Sequence, residues 1–585
     1  MPPSHVLDLP ASAAPRAEHE AYPRTSWLDQ PRSPRAVAIG LSLYLLAFAN
    51  WPLWHELAHI GGNAPSVYLP SLWMMAVLVF CANLGVLTLL AWTRSIKPAA
   101  LLVTLAAAVA QHYMLSYKVV MDPGMLANAA QTDTHEVLEL LNWQFARNLL
   151  LVVAPAAWLL WRVPVAPMRL LSQLWRNAAL LLGTAALAAV VILTMNRDLA
   201  PLMRNHDSLR YMMNPVATVY SATKVVLKPL FTHRRQLIKV SGGATLGASY
   251  AAQSKPPLFL LVVGETARAD HFGLNGYARD TTPELKARHV INWRNAHSCG
   301  TSTLASVPCM FSPLGKAAFE ARSDDYENLM DVLQASGLAV FWLDNQPGGC
   351  KGVCDRIPHA SAFKGLDAAT QQKYCDGDEC QDEVLLKDLD ARLAALPAER
   401  RAKGVVLVMH QMGSHGPAYY KRSAPEAKRF MPECTNNALA DCSHSDLINA
   451  FDNSIAYTDH VLGLSIDWLK AQQKNYDPAM LYMSDHGESL GEYGLFLHGV
   501  PYGFAPEVQK HVPWVMWLSE GMRQRDKLAD ACLGSQHDEP ISHDNLYHTV
   551  LGLMDVRTPT YRASLDALAG CRRGAIDPNI ASAAS

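Results

Sequence analysis

The chain has 585 residues, of which 50% are apolar and only 17% charged. A soluble domain averages about 25% charge, so bulk disorder is excluded. Lys and Arg number 50 against 52 Asp and Glu, a formal net charge of -2, which leaves no global positive field for nucleic acid.

The first third is mostly apolar and most charge follows residue 200, a pattern that predicts a membrane part and a globule. Crossing ~30 Å of hydrocarbon takes about 20 apolar residues. Ala36 to Trp54, Ser71 to Trp92, Pro98 to Tyr117 and Asn177 to Asn196 carry no charge. Asn148 to Trp161 is shorter and reaches full length if the helix starts near Asn142 and Arg147 snorkels. Five spans are expected. The long polar stretch before the first, and the four spans after it, argue against a cleaved signal peptide at Ala47-Phe48-Ala49.

Arg16, Arg24, Arg32 and Arg35 precede span one. Arg94 and Lys97 lie between spans two and three; Arg162, Arg169 and Arg176 lie between four and five. Positive loops stay inside, so the N-terminus is expected in the cytoplasm and everything after about Arg197 outside. Ten of the eleven Cys lie after residue 250, as near neighbours: Cys299 and Cys309, Cys350 and Cys354, Cys375 and Cys380, Cys434 and Cys442, Cys532 and Cys571. Close pairs without Cys-x-x-Cys spacing read as disulfides in an oxidising compartment rather than as zinc ligands.

Residues 118–146 form an outward loop in which Asn128, Thr132 and Glu136 recur every four residues and would share one helix face. That spacing fits a solvated turn as well as a lipid-headgroup contact. Residues 198–250 mix Lys224, Lys228, Arg234 and Arg235 with Val, Leu and Phe, which predicts interfacial helices and then a Gly/Ser-rich joint, with a plain linker as the alternative.

From about Lys255 short apolar runs alternate with amphipathic ones. Strands are expected at Leu258 to Val263, Leu338 to Leu343, Val405 to Met409, Met480 to Met483 and Val512 to Leu518. Helices are expected at Tyr326 to Ser336, Asp382 to Leu396 and His444 to Lys470. This is the pattern of an α/β sheet covered on both faces. Polar chemistry follows the strands: Gly264-Glu265-Thr266, His410-Gln-Met-Gly-Ser-His415-Gly and Ser484-Asp485-His486-Gly-Glu488. Ligands of such sheets bind at strand carboxyl ends. Glu265, Asp485 and His486 are donors suited to zinc, while Asp485-His486 taken alone fits a plain turn better. In Cys299-Gly-Thr-Ser-Thr303-Leu-Ala-Ser-Val-Pro-Cys309 the hydroxyls would cap the next helix, or one of them would act as a metal-activated nucleophile.

Together, Gly264-Glu-Thr-Ala-Arg-Ala-Asp270, Cys-Gly-Thr-Ser-Thr, Gly-Ser-His-Gly-Pro and Ser-Asp-His-Gly-Glu resemble the lipid A phosphoethanolamine transferases. That group includes the mobile colistin resistance enzymes, within the alkaline phosphatase and sulfatase superfamily. The resemblance implies a five-span helical membrane domain joined to an external α/β/α sandwich. The residues themselves divide the chain into a disordered stretch at 1–34, a membrane domain at 35–197, interfacial helices and linker at 198–254 and a globule at 255–585, which the resemblance implies is the periplasmic catalytic domain. Glu265, Thr303, Asp485 and His486 match the family's tight zinc site, with Thr303 its nucleophile. His415 and His498 match residues that bind phosphoethanolamine or a second zinc. Lys351 resembles a phosphate contact, and Asn128, Thr132 and Glu136 match a substrate-binding loop face. The implied donor is phosphatidylethanolamine, the acceptor a lipid A phosphate and the location the bacterial inner membrane. A monomer is expected, and the implied consequence is resistance to polymyxin. A core sugar or periplasmic glucan as acceptor, or a dead lipid-binding protein, are the competing expectations. The tail after about Arg573 reads as disordered.

Overall fold

The computed structural model describes residues 29–573 apart from 62–64, 132–133, 196–201, 204–205, 207–208, 232–234, 252 and 378. Most of the N-terminal stretch and the tail beyond Arg573 lie outside these residues, as do Thr132 and the side chain of Glu136.

The apolar stretches fold as helices α1 (Pro34–Phe48), α2 (Trp51–Gly61), α3 (Pro65–Leu89), α4 (Ile96–Ser116), α5 (Pro123–Gln131), α6 (Thr134–Leu140), α7 (Trp143–Arg162) and α8 (Leu170–Thr194). Four are long and apolar enough to cross a membrane; α1 with α2 makes a fifth if a 49° bend is one span. The first uncharged run thus folds as a bent pair of helices. The break falls just before Pro52, which has no amide hydrogen and whose ring opposes the Phe48 carbonyl four residues back, so the ring favours a break here although α7 runs unbroken through Pro155. The break is filled by Asn50, whose side chain donates to Leu45 O (2.9 Å) and Asn214 O (2.6 Å). Asn214 in turn donates to Ala49 O (3.0 Å) and Ala107 O (2.6 Å). Span four begins where the sequence suggested, with Asn142 accepting from Phe145 N. Arg162 pairs with Asp29 at 3.0 Å, and Arg32 exchanges backbone bonds with Pro164 and Ala166, so the inward basic segments gather at one end. Helix α9 (Val216–Phe231) packs on α5 before the chain enters the globule.

The globule is built on an eight-stranded sheet. Its strands are β1 (Pro257–Gly264), β2 (Ile291–His297), β3 (Ala339–Asp344), β4 (His359–Ser361), β5 (Val405–His410), β6 (Asp477–Ser484), β7 (His511–Leu518) and β8 (Ile541–Ser542), in the order β8-β2-β7-β6-β1-β5-β3-β4. β6, β1, β5 and β3 run parallel, and β7 is antiparallel to β6 and β2. Successive residues of β1 alternate between two cores. Phe259, Leu261 and Val263 pack toward Leu546, Val550 and Leu333; Leu258, Leu260 and Val262 pack toward Phe451, Ile455 and Ile466 of the long helix α11 (His444–Gln472). Both faces are buried, as a largely parallel sheet requires.

Two helix expectations are corrected. Tyr326 joins a short strand, and the helix starts at Leu329 because Asn328 and Asp331 form a capping box. Asp382 to Leu396 is a 3-10 turn (Asp382–Leu386) and a separate helix (Leu389–Ala395), interrupted by left-handed Asp388 with φ 58°. All five near-neighbour cysteine pairs are bonded, and Cys81 is the one free thiol.

Asn214→Ala leaves two buried carbonyls without their donor. Hydrogen bonds inside membrane bundles are worth about 0.6–1.7 kcal/mol each, so the variant should lower the melting midpoint in detergent. An unchanged midpoint would show that the bent span does not depend on this contact.

Candidate active site

The register of three parallel strands assembles the site. Ser484 lies opposite Gly264, so Glu265 and Asp485 leave the sheet side by side; His410 lies opposite Val263 and Asp344. Ligand atoms of Glu265, Asp485 and His486 lie within 4.8 Å of one another, and all three residues are fully buried. His486 Nε2 is 3.3 Å from Glu265 Oε1 and 3.4 Å from Asp485 Oδ2. Asp485 Oδ1 is occupied by His486 N and Thr266 N.

The nucleophile candidate comes from a different segment. Ser302 takes the N-cap position of helix α10 (Thr303–Met310) without a side-chain bond to the helix amides, and Thr303 stands in the first turn. The Thr303 hydroxyl donates to Glu265 Oε2 at 3.1 Å, and Gln346 Nε2 donates to the same oxygen at 2.8 Å. The Cys299–Cys309 disulfide closes this loop. Ser306 Oγ donates to Asp485 O at 2.5 Å, which ties the helix to β6.

The site fits a divalent cation. Glu265 Oε1, Asp485 Oδ2 and His486 Nε2 are buried and make no hydrogen bond, yet they point at one another. The His486 Nδ1 hydrogen faces Gly487 O at 2.9 Å, so Nε2 is the ring atom left for an ion. Electrostatics agree. Burial, with Glu265 alongside, pushes the Asp485 carboxyl up to about 7. Burial favours neutral His486, but the two carboxylates outweigh it and push the imidazole up to about 10. Burial would raise Glu265, and His486 offsets it to hold that carboxyl well below the usual range. The imidazole is the one cationic group the triad itself offers two carboxylates, and an ion there would release its proton.

The other expected residues surround this cluster. His498 lies 4.4 Å from His486 and 5.6 Å from His415, ring to ring. His498 Nδ1 is 3.4 Å from Glu488, whose carboxylate is fully buried. Burial drives His415 down to about 3, so it is neutral. Asn128, Thr303, Lys351, His415 and His498 line one cleft, with Gln131 and Gln346. Asn128 reaches it from α5 and accepts from Ser302 Oγ at 3.2 Å. Lys351 sits in the Cys350–Cys354 loop with φ 49°. Thr132 and the Glu136 side chain fall outside the described residues.

The His415 loop is held from two sides. Asp382 accepts from Met412 N and Gly413 N, and Gly413 has φ 55° with a Cβ position 2.6 Å from Glu265 O, so a side chain there would collide. Arg422 donates to His415 O at 2.8 Å and pairs with Glu379 at 3.2 Å and with Glu139 of α6 at 3.3 Å. The membrane half therefore reaches the site through both Asn128 and Glu139.

Sequence reasoning passed over Gln346, which follows an expected strand whose carboxyl end was not inspected. It also missed His543, whose Nδ1 accepts from Cys299 N and whose Nε2 hydrogen faces Ser484 O, each at 3.0 Å. Burial takes this imidazole down to about 3, as that neutral pairing needs. Nothing around His543 in the sequence announces the role.

Comparison with known proteins bears on this arrangement. Residues 257–556 match the sulfatase family, and residues 79–230 match the phosphoethanolamine transferase EptA/EptB family. The phosphoethanolamine transferase EptA of Escherichia coli (strain K12) is 36% identical over 509 residues, spanning 85% of this chain and 90% of that protein. The phosphatidylethanolamine transferase Mcr-1 of Escherichia coli is 35% identical over 545 residues, 91% and 96% of the two chains. The integral membrane lipooligosaccharide phosphoethanolamine transferase A of Neisseria meningitidis superposes with a TM-score of 0.85 at 31% identity, over 93% of this chain and all of that one. With both halves matched and more than four-fifths of its length covered, this chain belongs to the phosphoethanolamine transferase family of integral membrane enzymes.

Proposed function

We propose that the chain moves phosphoethanolamine from phosphatidylethanolamine to a phosphate of lipid A, through a covalent intermediate on Thr303, at a zinc site made by Glu265, Thr303, Asp485 and His486. The observation that carries this reading is the Thr303 hydroxyl, bonded at 3.1 Å to a fully buried carboxylate of a Glu-Asp-His cluster. One imidazole nitrogen, two carboxylates and a hydroxyl form a donor set that suits zinc. When bound, zinc would neutralise the carboxylates, polarise a phosphoryl oxygen and acidify the Thr303 hydroxyl.

The residues themselves do the following. The bond to Glu265 orients Thr303, so its oxygen lone pairs can face the cleft. The amide hydrogens of the first turn of α10 favour the donor phosphate. Thr303 gives up its hydroxyl proton to solvent as Oγ1 bonds to phosphorus, the bond to the diacylglycerol oxygen breaks, and that oxygen takes a proton from His498. An oxygen of the acceptor phosphate then bonds to phosphorus and Thr303 leaves, which is ping-pong chemistry. His415, His498 and Lys351 steady the phosphoethanolamine; the two histidines are placed to hold a second zinc, and His498 to hold the leaving-group proton. Asn128, Thr132 and Glu136 bring the donor headgroup to the cleft. Residues 255–585 would face the periplasm from the inner membrane and work as a monomer. Because both substrates are lipids, tethering raises their local concentration. The added ammonium makes lipid A less negative, so cationic peptides such as polymyxin bind less well.

Lipid A from cells expressing the chain should gain phosphoethanolamine by mass spectrometry, and Thr303→Ala should remove the gain with the protein still folded. Modified core sugar or glucan with unmodified lipid A would replace the acceptor. Elemental analysis should find about one zinc per chain, falling at least tenfold in Asp485→Asn and His486→Ala. Retention of zinc by both folded variants would refute the assigned ligands.

A further inference from the structure

A second opening adjoins the catalytic cleft, and nothing above assigns it a task. It is a groove of about 500 Å³ that shares Leu304 and Lys351 with the cleft and runs to Arg235, Arg322 and Asp325. That volume suits a small organic ligand or the headgroup of a larger one.

The groove lies where the chain leaves the membrane half. Helix α9 packs on α5, and a few residues later Leu237–Ile238 pairs in parallel with Asp325–Tyr326. Gln236 N donates to Asp324, and Val240 N and Ser241 N donate to Glu327, so the linker is stitched to the catalytic domain along this rim. A headgroup could enter here while its acyl chains stay in the bilayer.

The charge of the groove is under-compensated. Arg356 is committed to Asp331 through two bonds of 2.8 and 2.6 Å. Arg235 and Arg322 instead share one oxygen of Asp325, at 3.2 and 3.8 Å. Arg322 lies over the Phe319 ring, 3.5 Å from its centroid, and bonds Phe319 O, so its guanidinium is held in place. Burial, with Arg235 second, draws Arg322 below the ordinary arginine range, the direction expected of a cation short of counter-charge. Lys351 has no ion-pair partner among the described residues. Arg235, Arg322 and Lys351 thus face Asp325, which two of them share, and Asp355, which is exposed at the groove edge and pairs with none of the three.

We propose that Arg235 and Arg322 bind a second anionic group, a phosphate monoester, of the acceptor lipid, away from the phosphate modified at Thr303, with Lys351 on the border that the groove shares with the cleft. The assignment rests on the transferase reading given above. Phosphatidylethanolamine carries one phosphate, which is the reacting one, and its ammonium would be repelled by this groove. A multiply phosphorylated acceptor instead gains charge-assisted bonds of the bidentate kind that arginine makes with phosphate. The groove would act in acceptor choice and not in bond making.

The test uses the full-length enzyme in mixed micelles and reads the two half-reactions separately. Diacylglycerol released from phosphatidylethanolamine without acceptor reports the first; transfer to bisphosphorylated or monophosphorylated lipid A reports the second. Arg235→Gln combined with Arg322→Gln should raise the KM for the bisphosphorylated acceptor at least tenfold and erase the wild-type preference for it, with the diacylglycerol burst unchanged. Arg235→Gln alone, at the rim, should give an intermediate rise and guards against misfolding caused by the loss of Arg322 from Phe319. Unchanged acceptor KM and preference in both variants would overturn the proposal, as would a burst that falls in proportion to transfer, which would assign the groove to the donor or to the fold. Wild-type enzyme that transfers to neither lipid would overturn the transferase reading itself, and the groove assignment with it.

Discussion

Glu265 and Asp485 lose all contact with water at the ends of neighbouring strands, and the rest of the site is arranged around that charge. Two carboxylates ~4 Å apart repel by about 4 kcal/mol at an effective dielectric of about 20. A buried pair of this kind persists only with cationic compensation. His486 supplies part of it, and its orientation, with Nδ1 on Gly487 O and Nε2 toward both acids, suits exchange of that proton for a metal. Thr303 and Gln346 both donate to Glu265 Oε2, so the direction of the Thr303 hydroxyl depends on the same carboxylate.

The sheet fixes this cluster because register, not loop conformation, sets the separation of strand ends. Around it the grip extends into the membrane half. Asn128 of α5 accepts from Ser302, the residue before Thr303; Glu139 of α6 pairs with Arg422, which holds His415 O; Phe496 N donates to Tyr117 O, two residues before His498. Each of the three segments that present Thr303, His415 and His498 thus touches a residue from the outer loops of the helical bundle. The lipid-facing half helps shape the chemistry as well as anchoring it.

Much of this was legible in the sequence, for physical reasons. Uncharged runs long enough for a bilayer announce helices, and apolar runs ending in Glu265, His410 and Asp485 announce strand ends, because parallel strands buried on both faces leave polar residues only at their tips. Adjacent cysteines outside the membrane announced their bonds. The failures are equally physical. Composition alone did not show that Pro52 would bend span one by 49°, since apolar count ignores one missing amide hydrogen. The helix expected through Asp388 ignored a left-handed residue that no periodicity records. Gln346 and His543 act through contacts 81 and 244 residues away in the chain, which local pattern does not carry.

The claim on which the account stands is that a cation occupies the space among Glu265, Thr303, Asp485 and His486. Anomalous diffraction from crystals of the purified enzyme, recorded on both sides of the zinc edge, tests it most directly. A strong peak is expected within bonding reach of His486 Nε2, both carboxylates and Thr303 Oγ1. A peak lodged elsewhere, with this cluster vacant in enzyme that still transfers phosphoethanolamine, would contradict it.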